Sequence, residues 1–357
     1  MSGRTYLDWN ATAPLRPEAR AAMVEAMDVF GNPSSVHTEG RAAAAVVSRA
    51  RAQIAAAFGC NANNIIFTGS ATEAASIGLA GADVLCGDVE HDCIVTAASS
   101  VLSVNASGAV AVSNPAHTAV QGANSETGVL QTVPTGTFLS DQVQTFGKVS
   151  VAFNLLGIRS AILSAHKIGG PKGVGALVVA DGADIAARTR GGGQEQGYRS
   201  GTENVIGIAG FGAAAEAARR DLDADVWEQV RKARDAFENR IMNAAPDAII
   251  VGKDAERIPN TSCIAVPGWK GETQVMQMDL TGFAISAGSA CSSGKVKKSR
   301  VLRAMGFDDT TAASAIRVSI GPATDPRDLM TFADNWVAHY LKFRHRVAWA
   351  CPWPISA

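Results

Sequence analysis

A lysine amine becomes a Schiff-base nucleophile when burial or neighbouring cations lower its pKa. Ser164-Ala165-His166-Lys167 places such an amine just ahead of the loop Gly169-Gly170-Pro171-Lys172-Gly173-Val174-Gly175. An arbitrary lysine reads as a solvated surface residue, but here Ser164 and His166 add phosphate-binding donors beside it. Gly69-Ser70-Ala71-Thr72 stands between a predicted strand and a predicted helix. Small residues there let backbone N–H groups approach an anion, and the helix start adds favourable partial charge, although many plain structural turns share this composition. Asp141, in Asp141-Gln142-Val143-Gln144, ends another predicted strand and could keep a pyridinium nitrogen protonated.

Three further features carry polar chemistry. Gly191-Gly192-Gly193-Gln194 through Arg199-Ser200-Gly201-Thr202-Glu203-Asn204 is a polar, Gly-rich loop of the kind that lines a site or a subunit contact. Gly288-Ser289-Ala290-Cys291-Ser292-Ser293-Gly294 is followed by Lys295, Lys297, Lys298 and Arg300. Small neighbours predict a mobile, accessible thiol at Cys291, and the cations favour its thiolate; the bland alternative is an inert core cysteine. Arg317, inside the apolar run Ile316-Arg317-Val318, needs an anionic partner. A substrate carboxylate held bidentately and a structural salt bridge are equally good candidates.

These residues need a scaffold, and the first half of the chain predicts one. Short β-rich runs alternate with Ala-rich helical stretches, the pattern of a parallel sheet with crossover helices. Residues 41–58 read as an amphipathic helix closed by Gly59, Asn64–Phe67 as a buried strand, and Ala161–Leu163 and Gly175–Val179 as two more strands. A helix at about 205–220 precedes a more charged composition, which sets a domain boundary near 222. The tail after Tyr340 is basic, then Trp- and Pro-rich, and reads as peripheral.

The 357 residues suit roughly two domains. A hydrophobic fraction of 47% with 18% charged residues supplies a large core and excludes the composition of disordered chains. Thirty-two basic residues against thirty-three acidic give a net charge of −1, so no global field recruits nucleic acid or an anionic membrane. No apolar run approaches the ~18 residues needed to span a bilayer, and the N-terminus has no apolar signal core. The expected location is therefore cytoplasmic. The six cysteines form no CxxC pair, and apart from Cys291 they read as small core residues.

Taken in order, Ala123-Asn124-Ser125-Glu126-Thr127-Gly128, Asp141-x-x-Gln144, Ser164-Ala165-His166-Lys167, Gly191-Gly192-Gly193-Gln194, Arg199-Ser200-Gly201-Thr202-Glu203-Asn204 and Gly288-Ser289-Ala290-Cys291 resemble the cysteine desulfurases, pyridoxal-phosphate enzymes of the aminotransferase class V group. The likeness runs from Leu7-Asp8 and Gly31-Asn32-Pro33-Ser34-Ser35-Val36-His37 to about Gly321, and the Cys291 loop is similar to that of the branch feeding iron–sulfur assembly. The resemblance implies an α/β, fold type I chain: a large, mostly parallel sheet domain over 15–222 and a smaller α+β domain from 1–14 and 223–357 that carries the cysteine loop. It implies that Lys167 holds pyridoxal 5'-phosphate covalently, Asp141 pairs with the ring nitrogen, Gln144 contacts the ring hydroxyl and His91 stacks on the ring. Ser70, Ala71, Thr72, Ser164 and His166 would hold the phosphate, joined by Thr202 of a second subunit in a homodimer. Arg317 and Asn124 would bind the carboxylate of L-cysteine, Asn32 would also contact the substrate, and Asn124 would stand beside the cofactor as well. Lys167, His91 and Cys291 would be catalytic, leaving a persulfide on Cys291 for an acceptor such as an iron–sulfur scaffold protein. A selenocysteine lyase, an aminotransferase or a non-catalytic scaffold relative are the alternatives.

The chain also departs from the family pattern. Between Leu130 and Asp141 it has only Gln-Thr-Val-Pro-Thr-Gly-Thr-Phe-Leu-Ser, where a helical crossover is expected, and the stretches from Gly78 and from His91 to Asn124 are short. Missing helices should bare apolar sheet surface and invite a subunit or accessory protein to cover it. The C-terminal tail does not match the pattern associated with docking the iron–sulfur scaffold.

Overall fold

The structure is a computed structural model describing residues 3–288 and 298–350, with side chains through residue 347. Cys291 and most of its loop, and the end of the Trp/Pro-rich tail, lie outside the described residues.

Seven short strands make the main sheet: β1 (Ile65–Thr68), β2 (Leu85–Gly87), β3 (Ser100–Leu102), β4 (Thr118–Gln121), β5 (Leu139–Asp141), β6 (Ser160–Ser164) and β7 (Gly175–Val179). Their order is β1-β7-β6-β5-β4-β2-β3. Only β7 opposes its neighbours; the pairs β2–β3, β2–β4, β4–β5 and β5–β6 are parallel. Residues alternate between faces, as the strand period of two requires. Ile65, Phe67, Ala161, Leu163, Ala176 and Val178 pack in one core with α2 (Thr38–Phe58) and α4 (Val205–Asp223). Ile66, Leu139, Ile162 and Leu177 share the opposite core with α3 (Ala71–Gly78). Each such large side chain, fully buried, contributes roughly 1.5–3 kcal/mol.

Local signals set the element ends. α2 starts at Thr38, ahead of the expected 41, because His37 caps it: its Nδ1 accepts the Gly40 N–H at 3.3 Å. It stops at Gly59, whose φ of 66° closes the last turn without a Cβ penalty. β1 starts one residue after the expected Asn64, because Asn64 closes a tight turn by accepting the Asn61 N–H at 2.8 Å.

The shortened crossover is present as expected, and no helix lies between β4 and β5. The two strands still pair in parallel, the intervening loop being pinned by Gly122 N–H to Asp141 O (2.7 Å) and Gln131 N–H to Gly122 O (2.9 Å). The expected bare sheet is not found. Ala119, Val120, Leu139 and Ser140 are fully buried, and over residues 80–160 the only exposed large apolar side chains are Val101 and Leu155. Phe146, Phe153 and Ile158 pack in the core with β1, β6 and β7, and Ile94, with Cys93, Val95 and Phe138, packs in the core that holds Ala119 and Leu139. Segments outside the shortened loop supply most of that cover, so no bare face over residues 80–160 calls for an accessory protein.

A second, antiparallel sheet has the order β10 (Ser286–Ala287), β11 (Ala315–Ser319), β9 (Thr261–Ala265), β8 (Ile249–Ile250). It shares an aromatic core, with Phe237, Trp269, Phe332 and Trp336, with α5 (Val226–Ala244) and α6 (Pro326–Ala350). The N-terminus crosses to this side: Thr5–Tyr6 pairs with Phe283–Ala284, and Asp8 bridges Ser319.

Candidate active site

Six strands of the main sheet end, and β7 begins, along one edge. That edge delivers Thr68-Gly69-Ser70, Asp141 and Ser164 to one place, the usual location of a ligand crevice in such sheets. A cavity of about 480 Å³ opens there, lined among others by Ser70, Ala71, Thr72, His91, Asp141, Gln144, Ser164, His166, Lys167 and Arg317. The structure therefore gathers ten of the residues singled out from sequence.

Lys167 closes a single 3-10 turn, Ala165–Lys167, that follows β6 directly. Its Nζ donates to the main-chain oxygens of Asn10 (2.6 Å) and Ala11 (2.8 Å). Burial, then Lys167, Lys172 and Lys148, hold His166 down to about 4, so its imidazole is neutral; its Nδ1 is buried without a partner in the described structure. Burial raises Asp141, against the Val143 N–H that its Oδ1 accepts at 2.9 Å and the charges of His91 and Lys167. Ser70 caps α3 by accepting the Glu73 N–H at 3.1 Å. Gly175 passes beneath that turn, where a Cβ would lie 2.6 Å from the Ser70 carbonyl carbon. Arg317 is 2% exposed and donates to Asp8 Oδ1 (2.7 Å) and Ser125 O (3.0 Å), with its buried Nε unpartnered among the described atoms.

Three expected residues stand elsewhere. Asn124 is buried but spends its side chain on its own turn: Oδ1 accepts from Glu126 N and Thr127 N, both at 2.9 Å, and Nδ2 donates to Val89 O. Its neighbours Ala123 and Ser125 line the cavity instead. Asn32 is exposed and caps Ser34 N–H at 2.9 Å. Thr202 is exposed in an adjoining recess with Thr68, Gly69 and Gly173. The loop carrying Thr202 is fastened by Glu195, whose carboxylate takes Arg51 (2.7 and 2.9 Å) and the Phe67 N–H (2.8 Å).

Sequence reasoning missed Asp8, Asn10, Lys148 and Cys93 as parts of the site. Cys93, expected in the core, lines the cavity with its Sγ 3.0 Å from His91 Nδ1. Only its position two residues after His91 could have signalled this. Lys148 is 3% exposed and bonded to Gln144 and Asn10; a lone lysine in sequence gives no such hint.

The cavity combines a lysine amine, a buried carboxylate, an unpartnered neutral imidazole and a helix start, with Lys167, Lys172 and Arg317 outweighing Asp141 in charge. That set fits pyridoxal phosphate: an amine for the aldehyde, a carboxylate for the ring nitrogen, and donors with net positive charge for the phosphate.

Comparison with known proteins agrees. Residues 5–332 match the aminotransferase class-V family. The chain is 36% identical to a cysteine desulfurase of Cereibacter sphaeroides, over 91% of this chain and 93% of that protein. It is 32% identical to cysteine desulfurase IscS of Dictyoglomus turgidum, covering 92% of both. A NifS-like protein from Rickettsia africae superposes with a TM-score of 0.85 at 32% identity, over 95% of this chain and 99% of the other. The chain therefore belongs to the pyridoxal-phosphate-dependent aminotransferase class V family, among the cysteine desulfurases.

Proposed function

We propose that this cavity converts L-cysteine to L-alanine and leaves the sulfur as a persulfide on Cys291 for delivery to an acceptor protein. One observation carries the reading: Lys167, Asp141 and Arg317 face a single cavity from two sheets. Bound pyridoxal phosphate supplies the electron sink that acidifies the substrate Cα–H. Lys167 is the residue to carry that proton, and Asp141 the carboxylate to keep the ring nitrogen charged. Arg317 Nε, the unpartnered donor, is free for the substrate carboxylate while Asp8 keeps the guanidinium in place. The Cys291 thiolate attacks the substrate sulfur: an S–S bond forms, the C–S bond breaks, and its electron pair returns to the carbon skeleton, which is protonated to alanine. No outside oxidant is needed.

Cys93 favours a second reading, since its thiol already stands in the cavity against His91. Alanine and persulfide assays on Cys291→Ala and Cys93→Ala separate the two. Cys291→Ala is expected to abolish alanine formation, whereas Cys93→Ala lowers it by less than about tenfold. The reverse result moves the transfer to Cys93.

The proposal extends to a large domain over 15–222, a small domain from 1–14 and 223–357, and a homodimer in which Thr202 serves the phosphate site of a second copy. The exposed position of Thr202, outside its own chain's cavity, supports the dimer. An iron–sulfur scaffold is the proposed acceptor and the cytoplasm the proposed location. Among the described residues no helix is long and apolar enough to cross a membrane.

A further inference from the structure

Lys148 is a buried titratable group beside the cavity that the chemistry above leaves unused. It is 3% exposed, and the charges that act on its ammonium most strongly are those of Lys167 and Arg317, all of the same sign. Its Nζ lies 2.6 Å from Gln144 Oε1 and 3.2 Å from Asn10 Oδ1. Burying a lysine among like charges is costly, so these contacts must do something that an apolar side chain would not.

What they do follows from donor and acceptor types. The Lys148 amine donates here, so the Gln144 amide atom facing Nζ is the oxygen. The other amide atom faces Asn10 O at 3.1 Å; a carbonyl only accepts, so that atom is the nitrogen. Two independent contacts thus fix one flip of the amide. One Nε2 hydrogen goes to Asn10 O, and the second is left for the cavity that Gln144 lines. Without Lys148, Gln144 Oε1 loses its donor, and the single contact with Asn10 O is left to hold the amide in this flip.

The same amine holds Asn10, which joins the two sheets. Asn10 Oδ1 also accepts from Asn260 (3.0 Å), its Nδ2 donates to Thr261 Oγ1 (2.8 Å) and Ser125 O (3.1 Å), and its main-chain oxygen receives Lys167 and Gln144. We infer that Lys148 is a positioning residue: it locks the Gln144 amide with its NH2 toward the cofactor and ties that amide to Asn10, the link between the lysine turn and the second sheet. This rests on the cofactor cavity proposed above, and it deepens that assignment.

The test compares wild type, Lys148→Met, Gln144→Ala and the double variant. In the apoprotein labelled with 15N-glutamine, the Gln144 side-chain signal is identified by its loss in Gln144→Ala. Its hydrogens should exchange with solvent at least about tenfold faster in Lys148→Met, while thermal unfolding shows the chain folded. In the holoenzyme, both single variants should shift the visible absorption band in the same direction and weaken pyridoxal phosphate binding by about tenfold, and the double variant should be no worse than either. Unchanged amide exchange, or effects that multiply in the double variant, would overturn the assignment. If Lys148→Met fails to fold, Gln144→Glu replaces it: this variant keeps the acceptor for Lys148 but loses the NH2, and an unchanged band would equally overturn the assignment. A wild-type protein that takes up no pyridoxal phosphate at Lys167 defeats the proposed function alone, because the apoprotein exchange still decides the role of Lys148.

Discussion

The two walls of the cavity are built differently. On the main-sheet wall, Asp141, Ser164, His166 and Lys167 sit at or just after strand ends, so backbone hydrogen bonding fixes them within one turn of a ladder. On the opposite wall, Arg317 comes from the middle of β11 and is aimed by Asp8 and Ser125, each far away in sequence. The first wall supplies reactive groups with local support. The second supplies a charge whose direction depends on long-range partners, and a buried charge without its partner is expensive. The difference teaches that chemistry at the first wall should fail through its own residues, and at the second through their neighbours.

The sharpest break is Lys167→Ala. It should remove the visible absorbance of the holoenzyme and lower turnover by at least ~10³-fold, with the fold intact, because the support on that wall is backbone. Retained absorbance and turnover would contradict the assignment of the first wall. Next in size is Asp8→Ala, which leaves the Arg317 guanidinium buried without its carboxylate. Urea unfolding should show a loss of about 3 kcal/mol, and the KM for L-cysteine should rise more than kcat falls. A loss below about 0.5 kcal/mol would show that the pair is energetically neutral.

The smallest effects are pH slopes of opposite sign. His166 has its pKa lowered from 6.5 to about 4, so the unfolded chain binds the proton more readily, and stability is lost as pH falls from 6.5 toward 4. Glu126, half-buried with its Oε2 accepting from Ser299 Oγ at 2.6 Å, is pushed up to about 7 by desolvation. Its folded form holds the proton more tightly, so its contribution is full below about 4.5 and is lost as pH rises through 7. Glu126→Gln should flatten the thermal-stability profile between pH 5 and pH 7 and leave the acid limb unchanged. His166→Gln should remove the loss of stability between pH 6.5 and pH 4.

Much of the first wall was legible in the sequence because strand, turn and reactive residue are contiguous there. Ser164 to Lys167 and Ser70 to Thr72 each fit within one β-to-helix connection, and Gly59 marked a helix end by backbone geometry alone. The loss of the helix before Asp141 could also be read, from Pro134 and Gly136 in too short a segment. Its consequence could not. Whether β4 and β5 stay bare depends on what packs on Ala119 and Leu139, and Ile94 and Phe138 share their core. Asn124 shows a related limit of sequence: its identity suits a carboxylate ligand, and in the structure its side-chain oxygen accepts from the turn it closes.

The order of reactive residue types along the chain, and the strand-end turns that hold them, were determined by sequence alone, since both depend on neighbours a few residues away. The tertiary structure alone decided that Asp8 would aim Arg317, that Lys148 would be buried against Gln144, and that Cys93 would face His91 across a shared cavity. The reason is physical: a hydrogen bond or buried charge takes its direction and its cost from whatever atom lies about 3 Å away, and packing, not the local pattern of residue types, decides which atom that is.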